Sequence, residues 1–361
     1  MPTVAIAGAS GKLGGATLSA LLAHSLVPAS SVVALTSSRP GSSTFNSLAA
    51  AAPGIQVRHA SFEDGASFEQ ALKGVDRFFL VSTPHIKLDY DRRVGDGGEG
   101  EGEGEGEGEG EGEGWDDGKW EEVPDGEGRE KHHRVAIDAA VRAGVKRIYY
   151  SSLAFAFDPA TKAGKSSSKA GVMRAHLRTE AYLASLRSSG KFDSVTIIRE
   201  GLYAESWPLY LGYFSPRGTD DERTEVLLAG DGKISWTAIP DLGVANAAVL
   251  AAPDGEFDDR TFYLSVRPGA AKSMAEIAAL VGKARGKEVK VKIVGRPEAE
   301  RYYVKEKGLD AAAVRWWTST YEALEEGECE IDDGMFEKLL ERVGVRPQKV
   351  EEVIEKMVKK A

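Results

Sequence analysis

In the stretch RAHLRTEAYL, residues 174–183, His176 and Glu180 are four positions apart and share a face if the stretch is helical. An imidazole titrates near neutrality, so His176 is suited either to donate a proton to a developing oxyanion or to orient a ligand's amide and hydroxyl groups. Glu180 would fix the imidazole tautomer, or the two form an ordinary helix-surface pair. A second group opens the chain. Gly8, Gly11 and Gly14 in GASGKLGG make G-x-x-G-x-x-G directly after an apolar run. Such spacing supplies a tight turn, lets backbone come close to a pyrophosphate, and starts a helix whose N–H groups point at anionic oxygen. Gly8, Ser10, Gly11, Lys12, Leu13 and Gly14 are the expected contacts at this bend.

The next contacts follow from position. An acid at the end of a second strand would bind the ribose of NAD(H), whereas a basic residue accommodates the extra phosphate of NADP(H). Here ALTSSRPGSST has no acid and carries Arg39 beside Ser37 and Ser38, which favours NADP(H) over NAD(H); the other reading of Arg39 is a solvated loop arginine. Phe62 and Glu63 fall where the adenine edge would lie, and Ser82 and Thr83 fall along the cofactor after a fourth strand.

Alternating apolar strands and amphipathic helices must hold these residues. TVAIAGA, SSVVALTS, IQVRHASF, VDRFFLVST, VKRIYYSS and FDSVTIIREG read as six buried strands separated by helices, which predicts an α/β Rossmann-like doubly wound parallel sheet. The nucleotide-binding domain is expected over residues 1–200 and a smaller C-terminal α+β lobe over 201–361, with the ligand crevice between them. RTFYLSV reads as a strand and SMAEIAALVGKARG, MFEKLLERVG and KVEEVIEKMVKK as amphipathic helices of that lobe. The loop SSLAFAFD and the segment GLYAESWPLYLGYF would line the substrate pocket. Ser151 or Ser152 would meet a carbonyl there, and Tyr203, Trp207 and Phe155 would either sandwich a flat ring or form the packed seam between lobes. Trp316 and Trp317 would pack the lobe or cover the cleft, and His132 and His133 would be an exposed pair or cofactor-side contacts.

Composition narrows the field. The net charge of −10 is uneven: residues 95–127 hold fifteen acids against Lys119, so the remainder sums to +4. This Gly-Glu insert cannot fold by itself, because glycine loses much backbone entropy on ordering and neighbouring glutamates repel. It is read as a low-complexity expansion in a surface loop, with an acidic docking tail as the other reading. The nearly neutral body suggests no nucleic-acid surface, and no apolar run is long enough to span a bilayer. Cys329 is the single cysteine, zinc-type Cys/His spacing is absent so no metal site is expected, and no leader segment is read, so a reducing cytoplasmic setting is expected.

GASGKLGG, FEQALKGVDRFFLVST, HHRVAIDAAVRAGVKRIYYSS, HLRTEAYLASL, VTIIREGLYAESW and LLERVGVRPQKVEEVI, in that order, resemble the NmrA-like family of atypical short-chain dehydrogenases, nearest its NADPH-dependent quinone oxidoreductase branch. The resemblance covers nearly the whole chain outside the acidic insert. It implies a Rossmann-like domain, NADP(H), and a substrate cleft formed with the smaller lobe. Ordinary short-chain dehydrogenases use Tyr-x-x-x-Lys, which occurs here only at Tyr303 and Lys307, too late in the chain to follow the fifth strand. His176 stands in the corresponding helix instead. His176 and Tyr203 are therefore the candidate catalytic residues, and His176 is equally a candidate cofactor contact beside Ser82, Thr83 and Ser151. Hydride transfer to a flat quinone-like acceptor needs little acid–base chemistry, so a missing tyrosine is tolerable for such a small-molecule substrate. The family also includes regulators that bind the nucleotide without catalysis. In that second reading the chain senses NADP(H) and acts through a protein partner.

Overall fold

Apolar runs buried on both faces build a parallel sheet, because such strands need helices above and below them. The computed structural model describes residues 2–51, 53–83, 86, 92–93, 120–121, 127–213 and 223–360. Seven strands form the main sheet: β1 (Val4–Ile6), β2 (Val32–Thr36), β3 (Gln56–His59), β4 (Arg77–Val81), β5 (Arg147–Leu153), β6 (Ser194–Glu200) and β7 (Thr261–Leu264). Their order is β7-β6-β5-β4-β1-β2-β3, and every neighbouring pair is parallel. Ala5 of β1 lies between Val33 and Phe78, so the central register is set by fully buried side chains. The winding reverses between β1 and β4. In doubly wound sheets the crevice at the carboxyl ends of such strands takes the ligand.

Helices α1 (Lys12–Ala23), α2 (Ser43–Ala51), α3 (Gly65–Ala71), α4 (Gly128–Ala143) and α5 (Gly171–Ser188) alternate with the strands. Asp64 caps α3 by accepting the Ala66 and Ser67 N–H groups, and Gly144 closes α4 in the left-handed conformation. The acidic insert, 95–127, lies outside the described residues apart from 120–121 and Glu127, and it falls between β4 and α4.

The second half of the chain is divided between sheet and lobe. RTFYLSV supplies β7, with Phe262 opposite Ile198, and α6 (Ile239–Ala251) packs against α1 so closely that a side chain at Gly243 would meet Ala16 backbone at 2.6 Å. Segments past residue 200 thus return to the sheet. Strand β6 would otherwise present an open apolar edge, and β7 covers it. The lobe proper carries α7 (Met274–Arg285), α8 (Arg296–Arg301), α9 (Ala311–Glu325), α10 (Met335–Val343) and α11 (Val350–Lys360), of which α10 leans back onto α6. Trp207, Tyr210, Trp236, Trp317 and Tyr321 fill its core. The fully buried carboxylate of Glu328 ties the loop after β5 to this lobe, accepting from Ala156 N–H (2.9 Å), Lys169 N–H (3.2 Å) and the Ser168 hydroxyl (2.5 Å). Several donors are what a buried carboxylate requires.

Candidate active site

The bend between β1 and α1 is built from backbone. Ala7 N–H bonds Phe79 O of β4 and Ala9 N–H bonds Leu35 O of β2, so the chain leaves the sheet at the point of reversal. Gly8 adopts φ +63° and its carbonyl accepts Gly11 N–H at 2.8 Å. At Gly14 a Cβ would stand 2.3 Å from Gly8 O and 2.9 Å from Ala7 O, so only glycine lets α1 start against the strand. Gly11 is the N-cap and supplies no side-chain cap, leaving the first-turn N–H groups for another acceptor. These residues fit the dinucleotide that the spacing suggests.

From this bend a cleft of about 450 Å³ runs along the carboxyl ends of the strands. Gly8, Gly11, Lys12, Leu13, Gly14, Phe62, Ser82, Thr83, Ser151, Ser152, His176 and Tyr203 all border it, so one cavity gathers most of the residues singled out from sequence. Ser10 and Arg39 stand outside its wall. The Ser10 hydroxyl pairs with Thr36 Oγ1 (3.2 Å), and Arg39 is exposed on the loop after β2 with no side-chain partner among the described residues.

His176, buried on α5, sits in a chain of hydrogen bonds whose donors can be assigned by chemistry. Arg129 Nη1 lies 3.1 Å from His176 Nε2, and a guanidinium only donates, so that nitrogen is an acceptor. Nδ1 then carries the proton and donates to Tyr150 Oη at 2.9 Å. The same logic orders His133. Its Nε2 accepts Thr83 N–H (3.3 Å) and the Ser82 hydroxyl (3.2 Å), and its Nδ1–H donates to Thr179 Oγ1 (2.9 Å). Arg129 Nε–H in turn donates to Thr83 O at 3.0 Å. Burial above all, and then the Arg129 charge, holds both imidazoles well below the usual histidine range, so both are neutral at physiological pH.

Other expected contacts are distributed differently. Glu180 does not reach His176. Its carboxylate pairs with the Arg199 guanidinium (2.8 Å) and accepts the Ser152 hydroxyl (2.6 Å), because a partly buried carboxylate is held by the buried cation on the adjacent strand. Trp207 and Phe155 are fully buried in the lobe core and do not border the cleft. The aromatic residues that do so are Phe62, Tyr203, Tyr210, Trp316 and Trp317. Tyr303 is buried away from the cleft with its hydroxyl on Leu227 O (2.6 Å), so the lone Tyr-x-x-x-Lys is structural. His133 is not exposed: it is fully buried behind Ser82 and Thr83 and does not itself border the cleft, whereas the neighbouring His132 turns back to Gly128 O.

Arg129 and Tyr150 were not singled out from sequence. Arg129 begins α4 among other charged residues, which gives no signal. Tyr150 offered one: a phenol in a strand read as buried must find a polar partner. Glu200, at the end of β6, is also new. Both its carboxyl oxygens are buried without a well-formed hydrogen bond, and burial pushes its pKa up to about 8 against partial opposition from the Asn246 amide and the Ser151 hydroxyl.

A family model described as NAD(P)H-binding matches residues 8–206, more than half of the chain. The chain belongs to this NAD(P)H-binding family. It is 27% identical over 345 residues to the NmrA-like family domain-containing oxidoreductase flvB of Aspergillus flavus, covering 95% of this chain and 92% of the relative. It is 29% identical over 286 residues to quinone oxidoreductase 2 of Escherichia coli, covering 79% and 76% respectively. The crystal structure of an NADPH-dependent quinone oxidoreductase of Escherichia coli complexed with NADPH superposes with a TM-score of 0.67 at 25% identity, covering 98% of this chain and 99% of that one. This NAD(P)H-binding protein is therefore an NmrA-like member near the quinone oxidoreductase branch, with the Rossmann-like sheet read from its strand pattern. Among the described residues, no helix is long and apolar enough to cross a membrane.

Proposed function

We propose that this protein is an NADP(H)-dependent oxidoreductase that transfers hydride to a flat quinone-like or conjugated carbonyl compound. The observation that carries this reading is the single cleft joining the Gly8–Gly14 bend to His176 and ending among Tyr203, Tyr210, Trp316 and Trp317. When bound, the reduced nicotinamide supplies the hydride; the chain itself binds and orients. Gly8, Gly11, Lys12, Leu13 and Gly14 hold the pyrophosphate, Ser10 stands with Thr36 at the end of β2, Phe62 borders the adenosine, and Ser82, Thr83, Ser151 and His176 line the nicotinamide end. Thr36, Ser37 and Ser38 put hydroxyls, and no acid, at the end of β2, and Arg39 there receives the extra phosphate of NADP(H). Tyr203 faces the acceptor ring beside the tryptophans, where aromatic faces favour stacking over hydrogen-bonded selection.

The reaction is tested by following NADPH absorbance with a panel of quinones. Steady oxidation that needs the quinone supports the reading. Tight NADPH binding with no turnover on any acceptor would overturn it in favour of a nucleotide sensor acting through a protein partner. Cofactor choice has its own test, fluorescence titration of Arg39→Ala. NADPH affinity should fall about tenfold, the worth of one charge-assisted phosphate contact, while NADH affinity stays level. Equal loss for both dinucleotides would remove Arg39 from the phosphate site.

A further inference from the structure

We propose that Arg129 is the group that binds the oxygen of the acceptor on which negative charge develops during hydride transfer. The inference rests on the reaction class proposed above and names the residue that would serve it.

Three observations point there. The first concerns His176, the obvious proton donor by its place on α5. Its Nε2 accepts from Arg129 and its Nδ1–H is directed to the buried Tyr150, so neither nitrogen offers a proton to the cleft. The second concerns how Arg129 is held. Its Nε–H is fixed on Thr83 O at 3.0 Å and its Nη1–H on His176 Nε2 at 3.1 Å, and Arg129 lines the same cleft as Ser151, Ser152 and Trp316. A cation anchored at two corners is preorganised, so little rearrangement is needed when charge appears nearby. The third is the dense support behind it. Thr83 is itself fixed through N–H to His133, and His133 through Thr179 to Ala175 O, so the backbone that anchors Arg129 is tied to both α4 and α5. A surface arginine has no such scaffold.

The electron count is simple. Hydride from the reduced nicotinamide bonds to one carbonyl oxygen of the quinone, the π electrons shift through the ring as it becomes aromatic, and the pair displaced from the other C=O collects on that second oxygen as a hydroquinone monoanion. Arg129 donates a hydrogen bond to that oxygen and keeps its own proton throughout, because a guanidinium does not deprotonate. The proton that completes the hydroquinone comes from water as product leaves. His176 acts as a positioning residue for Arg129.

The test uses the NADP⁺ complex and a ligand that does not turn over. 4-Nitrophenol is a flat phenol whose ionisation is read directly from its visible absorbance, so it reports the local preference for a phenolate. In the wild-type complex its ionisation midpoint should fall by about one pH unit from the value in water, the usual effect of an adjacent cation. In Arg129→Gln the midpoint should return to the value in water, and Arg129→Lys should restore part of the fall. NADP⁺ affinity measured alongside shows that each variant is folded. Equal midpoints in wild type and Arg129→Gln, or no binding to the wild-type complex, would overturn the assignment. Absence of NADPH oxidation with every quinone would refute the reaction itself, and the nitrophenol readout does not depend on it.

Discussion

Replacing Glu200 with glutamine keeps the side-chain shape and deletes the charge at a position where charge is costly. Glu200 is fully buried at the end of β6, and its pKa rises from 4.5 to about 8, chiefly by desolvation. The unfolded chain gives up this proton above about pH 4.5 and the folded protein keeps it until about pH 8. Stability contributed by the group is therefore present at low pH and lost as pH rises through that window. Each pH unit corresponds to about 1.4 kcal/mol, so holding the proton at neutral pH costs about 3 kcal/mol, and near pH 5 less than about 1 kcal/mol. Glutamine has no proton to hold. Glu200→Gln should thus be more stable than wild type by up to about 3 kcal/mol at pH 7, with the two converging near pH 5. Urea unfolding followed by tryptophan fluorescence at several pH values measures this directly. A difference that does not change with pH would refute the reasoning, because it would place the effect in packing and not in ionisation.

The two buried histidines run in the opposite sense: they stay neutral while the unfolded chain takes up protons, so stability is full above about pH 6.5 and falls below it by up to about 1.4 kcal/mol per pH unit for each. The Glu200→Gln background shows this most cleanly, and a flat pH profile there below neutrality would mean that the imidazoles titrate normally. Gly14→Ala places a Cβ against Gly8 O at 2.3 Å, so α1 must shift, and NADPH affinity measured by calorimetry should fall at least about a hundredfold; unchanged affinity would show that the bend does not hold the pyrophosphate.

The order of strands and helices was legible because most strands are apolar runs and the helices amphipathic, patterns set by local geometry; β3, read as buried, is instead an only partly buried edge strand with Gln56, Arg58 and His59. The glycine bend was legible for a related reason. Gly8 and Gly14 answer to backbone constraints within a few residues of themselves, one to a positive φ and one to the carbonyl of the other. His176 was legible as a polar residue on the right helix. Its partner was not, for Glu180 belongs to Arg199 and Ser152 while His176 belongs to Tyr150 and Arg129.

What the sequence determined alone was therefore whatever a residue settles with its near neighbours: the alternating elements, the nucleotide bend, the absence of an acid after β2. The tertiary structure decided which aromatic residues wall the cleft, that Trp207 and Phe155 go to the core, that β7 returns to the sheet, and that Arg129 meets His176 across 47 positions of sequence. Those pairings depend on how β5, α4 and α5 come together, and a hydrogen bond between distant segments leaves no period in the chain by which it could be read.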